Sequence, residues 1–278
     1  MSWIKAILTS VNVGIVNGTV AKPHSRPYMV SVQGNGEHVC GGFLVSDLFV
    51  MTAAHCWKES GLDKAEVTAV IGAHDLKSND FERIAVKEHH IHPEFHYPAP
   101  SNDIMLLKLG KSTENIKNAT NISISKLSKG MDGSCSIAGW GRIKTKGNTS
   151  NVLLETNVDV YKNCKTFWNY NNILCAGGKK GGLCEGGIGG PLVCNDTAVG
   201  IASFTEKDKC DKPKKPNVHT NISAFMPWIK LIIGDVGRSA ICMCVTTQVN
   251  HLETMNGIWC PMLCFCPKMI QTRIQTEV

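Results

Sequence analysis

The chain has 278 residues, a formal net charge of +6, 43% hydrophobic residues and 19% charged residues. That length can bury a sizeable core as one large domain or two small ones, and the excess of apolar over charged residues excludes a disordered chain. No apolar run reaches the roughly 18 residues that span a bilayer, and so mild a positive excess permits polyanion binding without implying sequence-specific nucleic-acid recognition.

Residues 1–14 contain Trp3, Ile4, Ile7 and Leu8, but Lys5 interrupts them. The apolar core of a signal peptide is therefore missing, and a true start further upstream is expected. Residues 29–32, 42–50, 67–71, 104–109, 136–140, 192–193 and 198–204 read as short strands. Turn clusters separate them at Gly34-Asn35-Gly36, at Pro98-Ala99-Pro100 and over residues 177–182. Many short strands with turn-rich gaps predict an all-β barrel or sandwich. One helix is predicted over 223–233, where Phe225, Trp228, Ile229, Ile232 and Ile233 recur at spacings of 3 and 4. After Gly234 the pattern dissolves.

Eight of the 13 cysteines (40, 56, 135, 164, 175, 184, 194 and 210) are scattered through the strand-rich body, and none of them forms a CxxC pair. That argues against zinc and for a disulfide framework made in an oxidising compartment. The other five crowd between Cys242 and Cys266. Six Asn-x-Ser/Thr sequons, at Asn17, Asn118, Asn121, Asn148, Asn195 and Asn221, give modest support to a secretory route and a glycoprotein.

Three segments carry chemistry. Met51-Thr52-Ala53-Ala54-His55-Cys56 sets a His beside a Cys after an apolar strand. Ser101-Asn102-Asp103-Ile104 places a carboxylate just before another. The stretch from Cys184 to Cys194 is a glycine-packed turn containing Glu185-Gly186-Gly187-Ile188-Gly189-Gly190-Pro191. Taken singly, these read as a core His, a strand-capping Asp and a tight disulfide loop.

Together and in this order, with Ile15-Val16-Asn17-Gly18, Cys40-Gly41-Gly42 and Gly139-Trp140-Gly141, they resemble the trypsin/chymotrypsin family of serine proteases from residue 15 to about 234. Pro23-His24-Ser25-Arg26-Pro27-Tyr28 looks more narrowly like the granule proteases of leukocytes and mast cells, the granzymes and chymases. The resemblance implies two packed six-stranded antiparallel β-barrels with a C-terminal helix and the active site between the barrels. It implies the pairings Cys40–Cys56, Cys135–Cys194, Cys164–Cys175 and Cys184–Cys210, no cofactor and no metal. It also implies secretion or granule storage, and peptide segments or protease inhibitors as partners in the cleft. His55 matches the general base, Asp103 the residue that orients it, and Ser203 the serine that supports the Asp.

The match fails at the nucleophile. Where the family has Gly-Asp-Ser-Gly-Gly-Pro, this chain has Gly186-Gly187-Ile188-Gly189-Gly190-Pro191. The serine position is Ile188, and a hydrocarbon side chain cannot form an acyl-enzyme. Losing the serine of a comparable triad costs about 2 × 10⁶ in turnover, or roughly 8–9 kcal/mol. The oxyanion loop is altered as well, because Gly187 stands where an Asp would pair with the amine of a freed Ile15; insertion of a charged terminus should fail. By the family resemblance, Gly182 falls at the base of the specificity pocket, which would exclude a trypsin-like acidic base. Phe204 and Thr205 replace wall residues, and Asn217 and His219 replace a Gly and a Tyr near the floor. Side chains at Thr205 and Asn217 are expected to fill space that the family leaves open.

The run Glu88-His89-His90-Ile91-His92-Pro93, with His96, is expected to be a solvated rim loop and not a metal site. Lys179, Lys180, Lys207, Lys209, Lys212, Lys214 and Lys215 could form a basic rim for heparin-like polyanions. The expected domains are a leader or pro-segment remnant (1–14), a trypsin-like domain (15–234) and a Cys-rich tail, unstructured or a gene-model extension (235–278). The functional expectation is a proteolytically inactive homologue with a binding or regulatory role. The competing readings are a weakly active serine endopeptidase and a decaying gene product.

Overall fold

The computed structural model describes residues 15–59, 61–97, 101–126, 135–178, 181–206 and 208–234, together with the backbone of 253–255 and 258–260. The chain is mostly β. After a short strand β1 (Thr19–Val20) come β2 (Met29–Gly34), β3 (Glu37–Ser46), β4 (Phe49–Thr52), β5 (Val67–Ile71), β6 (Glu82–Ile91) and β7 (Met105–Leu109). Strands β2 to β7 close into an antiparallel six-stranded barrel in the order β2-β3-β4-β7-β6-β5. Phe43, Leu44, Phe49, Met51, Ile71 and Leu106 on its strands are fully buried. The β2–β3 hairpin turns at Asn35 (φ 51°) and Gly36 (φ 87°). Two successive left-handed residues match the strand twist, which is why Asn-Gly suits this turn.

The second half is a curled nine-stranded sheet. It contains β8 (Ser123–Ile124), β9 (Cys135–Gly139), β10 (Leu154–Val158), β11 (Val160–Tyr161), β12 (Ile173–Ala176), β13 (Pro191–Cys194), β14 (Thr197–Phe204) and β15 (Asn217–Asn221). The order is β1-β10-β9-β13-β14-β15-β12-β11, with β8 added in parallel to β14. The chain thus has one closed barrel and one half-barrel sheet. A short helix α1 (His55–Glu59) follows β4, and a helix α2 (Met226–Gly234) follows a 3₁₀ turn at Ile222–Phe225. Asn221 caps that turn by accepting the Ser223 N–H, and Phe225 and Ile229 are buried. Beyond it, β16 (Glu253–Met255) and β17 (Ile258–Cys260) pair antiparallel; the rest of the predicted tail lies outside the described residues.

Several boundaries differ from the sequence reading. The strand expected over 42–50 breaks at Asp47-Leu48 into β3 and β4, with an irregular register at Leu44/Ser46. The histidine run is not a loop over 88–91: Glu88 to Ile91 belong to β6, paired with β7. This ten-residue strand hides because only Ile84 in it is fully interior, while its other face carries charge. His89 stacks on Trp57 at 3.8 Å, and His92 meets Phe225 and Trp228 edge-on. Among the described residues no group of His, Cys, Asp and Glu could hold a metal ion, and no helix is long and apolar enough to cross a membrane. The turn at Pro98-Ala99-Pro100 lies outside the described residues. The disulfides are Cys40–Cys56, Cys135–Cys194, Cys164–Cys175 and Cys184–Cys210.

Candidate active site

Strand β4 delivers the chain through buried Ala53 and Ala54 to His55, the first residue of α1. The neighbouring Cys56 is bound to Cys40 on β3, which fixes this corner against the barrel. Asp103 comes from 48 residues further on, just before β7. The preceding Asn102 has φ 53°, a left-handed conformation that Asn tolerates better than most residues. Asn102 Nδ2 donates to the Glu94 carbonyl at 2.9 Å and Ile104 N–H to the Asn102 carbonyl at 2.9 Å. This sharp reversal turns the Asp103 carboxylate inward.

There the carboxylate is fully engaged. His55 Nδ1 lies 2.7 Å from Asp103 Oδ2, and the His55 backbone N–H donates to Oδ1 at 2.9 Å. Ser203 Oγ on β14 donates to Oδ2 at 2.5 Å, and Thr220 Oγ1 on β15 donates to the Asp103 carbonyl at 2.8 Å. Asp103 is 1% exposed and His55 6%. Burial alone would raise the Asp103 pKa, but the His55 ring, the Ser203 hydroxyl and the His55 backbone N–H together outweigh it. The carboxyl is held below its ordinary value. An ionised Asp103 keeps the ring proton on Nδ1 and the basic lone pair on Nε2, the orientation a general base needs.

The turn at Gly186–Gly190 is wedged between the two halves of the fold. On one side the Arg142 N–H donates to the Glu185 carbonyl, and a Cβ on Gly141 would collide with the Gly187 nitrogen. From the closed barrel, the Gly41 N–H donates to the Ile188 carbonyl at 2.7 Å, and the Gly189 N–H donates to the Ala202 carbonyl on β14 at 2.8 Å. Gly189 (φ 86°) is pressed so close to the Gly41 carbonyl and Thr52 Oγ1 that no side chain could fit there. Ile188 therefore sits, half-buried, on a tight turn: its carbonyl accepts the Gly41 N–H, and the next residue, Gly189, is packed against Gly41, Thr52 and Ala202.

Sequence reasoning did not single out His38. Its ring bridges the Ser31 hydroxyl at 2.8 Å and the Gly186 carbonyl at 2.9 Å, across 148 residues. Desolvation lowers its pKa, so the ring is neutral, one nitrogen donating and the other accepting. Nothing in the local sequence signals this; a lone His at the start of a hairpin carries no pattern. Thr52 and Thr220 escaped notice for the same reason.

Of the residues expected to line a pocket, Gly182, Thr205 and Asn217 are in contact. The Asn217 side chain is fully buried at the start of β15. Its Oδ1 accepts the Leu183 N–H at 3.0 Å, and its Nδ2 donates to Thr205 Oγ1 at 2.8 Å. A Cβ on Gly182 would collide with Asn217 Oδ1. The amide therefore lies directly over Gly182 and ties Leu183 to Thr205. Phe204 packs edge-on against Trp168 and Tyr170. Beside Asn217 on the same strand face, His219 is fully buried, and neither ring nitrogen has a hydrogen-bond partner.

The similarity to known proteins is extensive. The trypsin family model matches residues 15–229. Duodenase-1 of Bos taurus is 36% identical over 231 residues, covering 77% of this chain and 87% of the relative. Human cathepsin G is 32% identical over 229 residues (78% and 86%), and mouse granzyme B(G,H) is 35% identical over 231 residues (78% and 90%). The solved structure of neuropsin, a serine protease expressed in the limbic system of mouse brain, superposes with a TM-score of 0.71 at 32% identity, covering 79% of this chain and all of that one. With the family model spanning both halves of the fold, this chain belongs to the trypsin family of serine protease homologues.

Proposed function

We propose that this chain keeps the frame and the base of a serine endopeptidase but does not hydrolyse peptides, and that after secretory export it holds an extended segment or a protease inhibitor in its cleft. The observation that carries this reading is Ile188. Its turn retains the glycine architecture around it, and the His55–Asp103–Ser203 network is complete, yet the residue presented at that turn is a hydrocarbon. His55 has a proton acceptor's geometry and no hydroxyl to deprotonate. The Asn217 amide over Gly182 supports the same reading, because it takes up space at the position the family pattern gives to the pocket base.

The test is labelling with an alkyl fluorophosphonate, which reacts with an activated serine and asks nothing of the pocket. The native chain is expected to stay unlabelled, and the Gly187→Asp/Ile188→Ser double variant, cut so that Ile15 is its first residue, to label. Covalent modification of the native chain in the 184–194 segment would sink the proposal. The basic face is a weaker candidate for partner binding: Glu206 pairs with Lys209 at 2.9 Å and accepts the Lys214 N–H, and Lys215 is stacked on Trp168. Salt-sensitive retention on heparin at physiological ionic strength would favour it.

A further inference from the structure

Ile15 has no solvent exposure. Its side chain packs in a cluster with Ile137, Leu154, Leu183 and Leu192, and its δ-methyl would lie 3.4 Å from a Cβ on Gly187. The backbone is stitched in as well. The Val16 N–H donates to the Gly182 carbonyl at 3.1 Å, the Gly182 N–H returns to the Val16 carbonyl at 3.2 Å, and the Gly18 N–H donates to the Ile15 carbonyl at 2.8 Å. The expectation that a charged terminus should fail to insert concerned a freed Ile15; here Gly14 precedes it, and its nitrogen is an uncharged peptide amide. Glu155 pairs with Arg26 at 2.8 Å, and Glu185 pairs with Arg142 at 2.9 Å on the surface. Gly187, in contact with Ile15, offers no carboxylate.

We propose that the recess around Ile15 accepts this residue only as an interior member of an uninterrupted chain, so that cutting the Gly14–Ile15 bond destabilises the fold. Hydrolysis adds water across the C–N bond, leaving a carboxylate on Gly14 and a primary amine on Ile15. That amine, with an ordinary pKa of about 7.7–8.0, takes up a proton at neutral pH. An ammonium buried among apolar side chains without a counter-charge is strongly unfavourable. The cut chain must either hold the amine neutral against its ordinary pKa or release the 15–18 segment and lose its packing. This inference does not depend on what Ile188 does or fails to do.

The experiment uses the full chain with an enteropeptidase recognition sequence placed immediately before Ile15, melted before and after complete cleavage at pH 7. Cleavage is expected to lower Tm by on the order of 5–10 °C. In a Gly187→Asp background the sign reverses, because the uncut chain then buries a lone carboxylate and the cut chain pairs it. A Cβ at Gly187 meets only the Cys184 carbonyl at 3.3 Å and the Ile15 δ-methyl at 3.4 Å, so that variant has room to fold. An equal or higher Tm for the cut chain with Gly187 in place overturns the proposal, whether or not the Asp variant folds.

Discussion

His219 makes the stability of this protein depend on pH in a way that one substitution should remove. The ring is fully buried on β15, and both nitrogens lack a hydrogen-bond partner. Desolvation dominates and lowers its pKa from 6.5 to about 3, against a smaller opposing pull from the Asn217 backbone. A group whose pKa is depressed on folding contributes stability that is present above its unfolded value and is lost as pH falls. Here the loss begins near pH 6.5 and continues towards pH 3. At pH 5 the unfolded chain gains about 1.5 pH units' worth of protonation free energy that the folded chain does not. That makes the fold about 2 kcal/mol less stable than at pH 8 through this residue alone. His219→Phe removes the titrating ring and two unpaired nitrogens. Urea unfolding followed by tryptophan fluorescence at pH 8 and pH 5 should show a variant-minus-native stability difference about 2 kcal/mol larger at the lower pH. Four other histidines, His38, His74, His89 and His92, are also held low, each chiefly by desolvation. Their contribution cancels in the comparison. Equal differences at the two pH values, or an NMR titration of the His219 ring near pH 6.5, would refute the reasoning.

Asn217→Gly should unlatch Leu183 from Thr205, lower stability by about 1–3 kcal/mol and open the recess over Gly182. Saturation-transfer NMR with indole should then detect binding to the variant and not to the native chain; native binding would show that the recess is already open. Replacing Cys40 and Cys56 together by serine releases a crosslink spanning 16 residues at the corner that carries His55. A loss of about 3 kcal/mol is expected from denaturant unfolding, and an unchanged midpoint would show that the corner is held by packing alone.

Much of the fold was legible in the residues. Apolar runs such as 67–71 and 198–204 became β5 and β14 because a strand buried on both faces needs a continuous apolar stretch, and Asn35-Gly36 turned the hairpin because both residues accept positive φ. The charged face of β6 and the five-residue α1 went unread for the opposite reason: neither has a periodicity long or apolar enough to stand out. Chemistry at the decisive position also belonged to the sequence alone, since no packing can give Ile188 a hydroxyl. Only tertiary structure could decide the contacts between distant residues: the His38 bond to Gly186, the Asn217 amide over Gly182, the unpartnered ring of His219 and the interior seat of Ile15. Each depends on which side chains meet after strands far apart in the chain are brought together. Local sequence carries no record of that proximity, whereas hydrogen bonding, desolvation and close contact are all set by it.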